Sequence, residues 1–276
     1  MFPSHDQGQE RDFNQVSLKT LEVFEKKSKK IDKISAEVNW YETIPKNIKT
    51  HTPKLISKDL DKGSYMLERI RGITFSELLV SQSLSEDSFI KLLDIIHDIH
   101  SCPVSEDISH EDLYSNYLQK LKSRYESYNY SQFPNSESIY NELSQNLIKY
   151  QKNNLAIPSC IHGDPVFSNV LINKDNEIKL IDPRGMLNNR ITIYGDVFYD
   201  YAKILQSLSG YDEIMLSGKV YIDKSKFINI FNERVSSLYG EEFVKIIEDI
   251  KDSLLFTLLP LHDNYNCIKY FNLIKV

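Results

Sequence analysis

Apolar positions follow two regimes along this chain. From Val16 to Ser28 they partly alternate with polar residues, which predicts one or two strands. From Ile31 to Thr43 the spacing becomes helical, with Ile31, Ile34, Val38 and Tyr41 on one stripe and Pro45 just beyond the end. The polar stretch Ser57–Gly63 predicts a hairpin turn before the apolar run that leads into Glu68. From Thr74 onward the pattern is helical. Phe75, Leu78 and Leu79 share one face, and Phe89, Leu92, Leu93, Ile96 and Ile99 form a second stripe. One later segment breaks that regime. Val170-Leu171-Ile172, the polar run Asn173–Asn176, then Ile178, Leu180 and Ile181 read as two strands with a four-residue connection, a β-hairpin. The pattern predicts an α+β chain with a small β-rich N-terminal part carrying one helix and a larger, mainly helical C-terminal part.

Composition adds bounds. The 276 residues, 41% hydrophobic and 26% charged, suffice for two lobes around a cleft with a substantial core. A net charge of −6, from 33 basic and 39 acidic residues, argues against nucleic acid as a partner, for which a basic domain is expected. No run of about 18 apolar residues occurs, so no membrane span is expected. The start, MFPSHDQGQERDF, is too polar for a signal peptide. Cys102, Cys160 and Cys267 lie far apart with no CxxC pair, which suggests neither a zinc site nor a disulfide framework. The expected location is the cytoplasm.

The chemistry concentrates in Cys160–Gly185, CIHGDPVFSNVLINKDNEIKLIDPRG. The predicted hairpin folds back on itself, so it brings Asn169, just before its first strand, beside Asp182, just after its second. Two oxygen ligands on adjacent strand ends suit magnesium, which takes few protein ligands and leaves room for phosphate oxygens and water. Asp164 lies upstream on the same loop, within reach of a substrate placed against a terminal phosphate. Each residue has a plain explanation taken singly: a capping Asp, a turn Asn, an Asp that ends a strand. The combination at these spacings is what the plain explanation does not account for.

His162, Asp164 and Asn169 form H-x-D-x-x-x-x-N, the catalytic-loop spacing of protein-kinase-like phosphotransferases. The segment resembles the aminoglycoside phosphotransferase / choline kinase-like superfamily, whose pattern is HGDxxxxN, a hydrophobic strand and Ile-Asp. Tyr194–Ala202 is similar to that family's G-D-x-x-x-D-x-A helix start. The Ile181–Gly185 string and the Tyr-Asp-x-Ala-Lys run ending at Lys203 resemble a bacterial subgroup associated with surface-polysaccharide biosynthesis. The resemblance covers most of the chain and is strongest from Cys160 to about Gly210.

It implies a protein-kinase-like two-lobed fold, with residues 1–70 as the nucleotide-binding lobe and 71–276 as the catalytic and acceptor-binding lobe. It implies ATP and magnesium as cofactors and a small-molecule acceptor. Asp164 would align the acceptor hydroxyl, His162 would orient the loop, and Asn169 and Asp182 would hold the metal. Such folds pair a strand lysine with a helix glutamate. Glu37 is the candidate glutamate. Lys26 is the favoured lysine because Phe24, two residues earlier, would abut the adenine; Lys27 is the alternative, and the basic run from Lys26 to Lys33 also reads as a solvated face. Glu68 to Gly72 reads either as an inter-lobe hinge, with Glu68 and Ile70 offering backbone groups to adenine, or as an edge strand and turn. A glycine-rich phosphate loop is missing; Gly8 to Asn14 reads as a phosphate cover or as an N-terminal arm.

Other residues carry two readings each. The resemblance implies that Asp196 buttresses the catalytic loop, with Asp200 as further support. Arg184 and Arg190 flank Asp182 and suit an oxyanion, or are surface arginines. His262 and Asp263 follow an apolar helix, Ser253 to Leu259, and line the acceptor pocket or cap the helix. His97 and His100 share a helix without a third ligand, which favours packing over metal. Tyr114, Tyr117, Tyr125, Tyr128 and Tyr130 supply either sugar-stacking surface or core. Three functions follow. The first is a kinase for a sugar or related metabolite, in line with the polysaccharide-associated segment. The second is an aminoglycoside or amino-alcohol kinase, whose cationic acceptor would want an acidic pocket of the kind Asp212, Glu213, Glu241 and Glu242 allow. The third is a catalytically silent, nucleotide-binding regulatory protein, against which the intact Asp164, Asn169 and Asp182 argue.

Overall fold

The alternating segment resolves into two strands, β1 (Asn14–Thr20) and β2 (Val23–Ser28), with Leu21 and Glu22 as the turn between them. In this computed structural model residues 14–261 and 266–276 are described. The helical segment is α1 (Ile31–Thr43), which buries Ile34, Val38, Trp40 and Tyr41 together with Ala36 and Glu37. Ile31, at the first turn, is exposed, so the buried stripe starts at Ile34. Strands β3 (Leu55–Asp59) and β4 (Ser64–Glu68) follow, and the turn between them is shorter than the polar run predicts because Ser57–Asp59 pair with β4. The four strands form an antiparallel sheet in the order β1-β2-β4-β3, with α1 packed against β2, β3 and β4.

β5 (Gly72–Thr74) runs directly into α2 (Phe75–Val80). Thr74 caps that helix in a reciprocal box: its hydroxyl accepts from the Glu77 amide, and the Glu77 carboxylate accepts from the Thr74 amide at 2.9 Å. The predicted apolar stripe lies buried on α3 (Glu86–His100). Helices α4 (His110–Tyr114), α5 (Leu118–Ser127) and α6 (Ser136–Lys152) lead to β6 (Pro158–Cys160). The predicted hairpin is present as β7 (Val170–Asn173) and β8 (Ile178–Leu180), in the register Val170↔Leu180 and Ile172↔Ile178. Its turn is organised by Asn173, whose side-chain oxygen accepts from the amides of Asp175 and Glu177 at 2.9 Å each. β5 joins the hairpin as a third strand in the order β5-β7-β8, so Gly72 closes the segment after Glu68 by entering a sheet.

A short hairpin, β9 (Met186–Leu187) and β10 (Arg190–Ile191), precedes β11 (Tyr194–Asp196), which pairs antiparallel with β6. Helices α7 (Val197–Leu208), α8 (Tyr211–Ser217), α9 (Ser225–Tyr239), α10 (Glu242–Leu258) and α11 (Cys267–Phe271) complete the larger lobe. α7 is buried along nearly its whole length and packs against α8, α9 and α10. The apolar segment expected to start at Ser253 is the final turns of α10. The tyrosines divide in favour of core. Tyr114, Tyr117 and Tyr130 are buried, Tyr130 stacks on Phe256 at 4.3 Å, and Tyr125 stacks on Tyr140 at 3.9 Å. No described helix is long and apolar enough to cross a membrane.

The two lobes meet where Gly185 passes α1. Gly185 has φ +64°, and a Cβ there would lie 2.0 Å from the Ala36 carbonyl oxygen. Gly185→Ala therefore adds both a left-handed-backbone cost and a backbone clash. We expect it to lower the unfolding free energy by about 2–4 kcal/mol in urea denaturation. A wild-type midpoint for that variant would contradict the close approach.

Candidate active site

The loop between β6 and β7 carries His162, Gly163, Asp164 and Asn169, and α7 holds it from beneath. Asp200, with no exposed surface, accepts from the His162 amide at 2.8 Å and from the Gly163 amide at 2.7 Å. His100 on α3 reaches the same carboxylate at 3.1 Å. This corrects the reading of Asp196 and bears out Asp200 as a support. The carboxylate beneath the loop is Asp200, four residues past Asp196, because a helix start places the next turn's side chain against the strand end. Asp196 instead caps α7 through the Phe198 amide and accepts from Tyr117 and Tyr150. Burial raises the Asp196 carboxyl to about 6, with the tyrosine and amide hydrogen bonds opposing. His100 packs and pairs, as the lack of a third ligand suggests.

His162 is fully buried. Burial lowers its pKa, with Asp200, Asp164 and Asp182 opposing, so the ring is neutral. Its Nδ1 accepts from the Asp164 amide at 3.3 Å, and its ring meets Trp40 edge-on at 5.4 Å. Trp40 Nε1 donates to the Ile161 carbonyl at 2.7 Å, which ties α1 to the start of the loop. Gly163, at φ +82°, sits where a Cβ would meet the Arg184 Cβ at 2.5 Å. The Arg184 amide donates to the His162 carbonyl at 2.9 Å, so the chain after the hairpin returns to the loop.

Asn169 and Asp182 are neighbours, as the hairpin requires. The Ile181 amide donates to the Asn169 carbonyl at 3.0 Å, one residue before Asp182. Asn169 Nδ2 donates to the Asp164 carbonyl at 2.9 Å, which leaves its Oδ1 as an acceptor. Asp182 adopts φ +57°, a left-handed conformation that a non-glycine residue takes at a cost. Its side chain is 44% exposed. One half-open carboxylate and one amide oxygen form a hard donor set that fits magnesium completed by phosphate oxygens and water. The described residues contain no cluster of three or more His, Cys, Asp or Glu suited to a metal.

Lys26 on β2 reaches Glu37 at 2.9 Å and Asp182 at 3.1 Å. Burial disfavours its charge, but Asp182 and Glu37 outweigh burial and raise its pKa. Tyr65 donates to Glu37 at 2.6 Å from the neighbouring strand. Lys27 points to the other face and pairs with Glu25 at 3.3 Å. Phe24, on the Lys26 face, lies under the Arg69 guanidinium at 5.7 Å. At the expected hinge, the Glu68 amide donates to the Lys54 carbonyl at 2.9 Å and the Arg69 amide to the Glu22 carbonyl at 2.8 Å. Glu68 and Ile70 are half-buried there.

Several contributors were not picked out from the sequence. Lys203 on α7 pairs with Asp164 Oδ1 at 3.0 Å. It lies one turn past Asp200 in the Tyr-Asp-x-Ala-Lys run, and that helical spacing is the signal by which it could have been found. Tyr199 opens the same run, whereas Trp40 left no comparable signal. Arg184 stands beside this group, with Nη1 donating to the Tyr199 hydroxyl at 2.8 Å. Arg190 instead bridges Glu106 at 2.7 Å and Asp112 at 4.0 Å, away from Asp164. Asp212 and Glu213 have no exposed surface: Asp212 accepts from Ser76, and Glu213 pairs with Lys224 and accepts from the Tyr221 and Ile222 amides. They are internal supports and not the walls of an acidic pocket. His262, Asp263 and residues 8–13 of the N-terminal loop lie outside the described residues.

Removing the carboxylate beneath the loop should be costly. Asp200→Ala leaves two buried amides and His100 without a partner. We expect a loss of about 3 kcal/mol in unfolding free energy, whereas Asp164→Asn, which gives up the partly buried pair with Lys203 but strands no backbone amide, should cost less. Chemical denaturation of the two variants measures both.

No protein-family model matches this sequence, and no curated protein matches it. Solved structures do match its shape. The choline kinase LicA from Streptococcus pneumoniae superposes with a TM-score of 0.57 at 16% identity, covering 97% of this chain and 89% of that one. The GDP complex of wild-type aminoglycoside 2'-phosphotransferase-IIIa gives 0.64 at 14% identity, with 96% and 89% covered. Aminoglycoside phosphotransferase APH(4)-Ia gives 0.66 at 10% identity, with 96% and 90% covered. The chain thus has the protein-kinase-like two-lobed fold of the aminoglycoside phosphotransferase and choline kinase structures.

Proposed function

We propose that this protein is an ATP- and magnesium-dependent small-molecule kinase that phosphorylates a hydroxyl of a sugar or related metabolite. The observation that carries the reading is the network in which buried Lys26 joins buried Glu37 to half-open Asp182, beside a loop presenting Asp164 and Asn169. A scaffold without chemistry has no need of a strand lysine joined to both acids. In this reading residues 1–70 bind the nucleotide and residues 71–276 supply the catalytic loop and the acceptor site. Backbone groups of Glu68 and Ile70 meet the adenine edge, and Lys26 contacts the phosphates while Glu37 keeps it in place. The sugar-type acceptor and a place in surface-polysaccharide synthesis rest on the resemblance of Ile181–Gly185 and the run ending at Lys203.

Asp164 orients the acceptor hydroxyl in line with the γ-phosphorus. The hydroxyl oxygen bonds to that phosphorus, the bond to the β,γ-bridging oxygen breaks, ADP leaves, and the hydroxyl proton passes to the Asp164 carboxylate. Such transfers have a loose transition state, so positioning and charge neutralisation dominate over strong base action. Asn169 and Asp182 would hold magnesium, which supplies neutralisation of the phosphate oxygens. Neutral, buried His162 keeps the loop backbone in register and moves no proton.

The test is phosphate transfer from ATP to a pooled panel of sugars, sugar acids, amino sugars, polyols, amino alcohols and aminoglycosides. Asp182→Asn tolerates the left-handed backbone, so it should stay folded while magnesium-dependent turnover falls by about 100-fold or more. Asp164→Asn should lower turnover with little change in nucleotide affinity. Wild-type rates in the Asp182→Asn protein would sink the assignment.

A further inference from the structure

The chemistry above uses Asp164 but not the cations gathered beside it. Lys203 pairs with Asp164 and lies 5.8 Å from the centre of the Tyr199 ring. Arg184 holds the Tyr199 hydroxyl at 2.8 Å, lies 5.4 Å from the same ring centre, and is fixed by its Nε donating to the Met186 carbonyl at 3.1 Å. Lys120 and Arg124 stand four residues apart on α5, on one face of that helix. Burial lowers the Lys120 pKa to about 8; Tyr199 opposes this, and Arg184, Lys203 and Arg124 add to it by repulsion. Burial of Tyr199 would raise its pKa, yet Lys120, Arg184 and Lys203 outweigh burial and bring it down to about 8, with Asp164 opposing. A lysine pushed toward its neutral form and a phenol pulled toward its anion report the same local field, positive and short of negative charge. Assembling like charges in a half-buried place is unfavourable until a counter-charge arrives.

We propose that the acceptor is an anionic hydroxyl compound whose carboxylate or phosphate docks on Arg184, Lys203 and Lys120 while its hydroxyl faces Asp164. The inference rests on the kinase reading and names the chemical class of its acceptor. Arg184, held in place through Nε and Nη1, turns its Nη2 donors to an oxyanion, and Lys120 and Lys203 add point charges around it. The anionic group takes no part in bond changes; it positions the hydroxyl. A cationic acceptor would meet this field with repulsion, which provides discrimination against amines.

Isothermal titration of the protein loaded with magnesium and the non-hydrolysable analogue AMP-PNP tests the inference, with glucuronate, glucose 6-phosphate, glucose and glucosamine as probes. We expect glucuronate or glucose 6-phosphate to bind about tenfold tighter than glucose, and glucosamine to bind weakest. The two charged probes tell a carboxylate from a phosphate site. Lys120→Met should remove about tenfold in affinity for the anion, and Lys120→Arg should retain it. Glucuronate, which does not titrate in this range, should bind less well as pH rises from about 7 to about 9, because Lys120 loses its charge while Tyr199 gains one. Lys203 keeps its charge across that range: burial disfavours it, but Asp164 and Tyr199 outweigh burial and raise its pKa. Glucose or glucosamine binding as tightly as the charged probes, no binding of either charged probe, or an unchanged anion affinity in Lys120→Met overturns the inference. AMP-PNP affinity, measured first on each protein, is the control. Nucleotide binding without anion preference overturns this inference alone, whereas wild-type protein that binds no nucleotide overturns the kinase reading too.

Discussion

The Asp200 carboxylate is the constraint on which the site depends. A buried carboxyl group is tolerated only when its oxygens are bonded, and here the partners are the two amides at the head of the β6–β7 loop and His100. That bonding fixes where the loop starts. Gly163 can then take its positive φ, Asp164 turns outward, and Asn169 ties the far end of the loop back to the Asp164 carbonyl. The chain after the hairpin is fixed against the same loop by the Arg184 amide on the His162 carbonyl. One carboxylate on α7 thus sets the positions of residues spread over more than twenty positions of sequence.

Besides the Gly185 approach, two contacts of different character join the smaller lobe to this frame. Trp40 makes a packed, hydrogen-bonded contact with the loop through the Ile161 carbonyl and the His162 ring. Lys26 makes an electrostatic one, spanning Glu37 on α1 and Asp182 beyond the hairpin. The second contact ends on a residue whose backbone is left-handed and whose side chain is half open. Strain of this kind persists only where surroundings over-determine the conformation, and here the Asn169–Ile181 bond, the Arg184 amide and the Gly185 approach to α1 all constrain the same few residues.

Charge is distributed unevenly across the cleft. The chain carries a net −6, yet Lys203 pairs with Asp164, and Arg184, Lys203 and Lys120 surround the neighbouring Tyr199. The carboxylates that composition offered for an acidic pocket, Asp212 and Glu213, are consumed by internal bonds. Net charge describes the solvated exterior, whereas the field at a half-buried site depends on a few groups at short range, where screening is weak.

The local parts of this molecule were legible in the amino-acid sequence. α1, the α3 stripe and the β7–β8 hairpin follow from residue periodicity and turn chemistry, which act over a few positions, and the hairpin alone was enough to bring Asn169 beside Asp182. The H-x-D-x-x-x-x-N spacing pointed to the loop for the same reason: its members are neighbours in the chain. Other features required the fold. β5 pairs with a strand about a hundred residues away, Lys26 and not Lys27 faces Glu37, Asp200 and not Asp196 lies beneath the loop, and the tyrosines of the α4–α6 region are core. The cation cluster draws on α5, the segment after β8, and α7, none of which carries a spacing that announces the others. Periodicity decides which face of an element is apolar; only the packing of those faces decides which distant side chains meet, because that choice is made by burial over the whole core and not by any one segment.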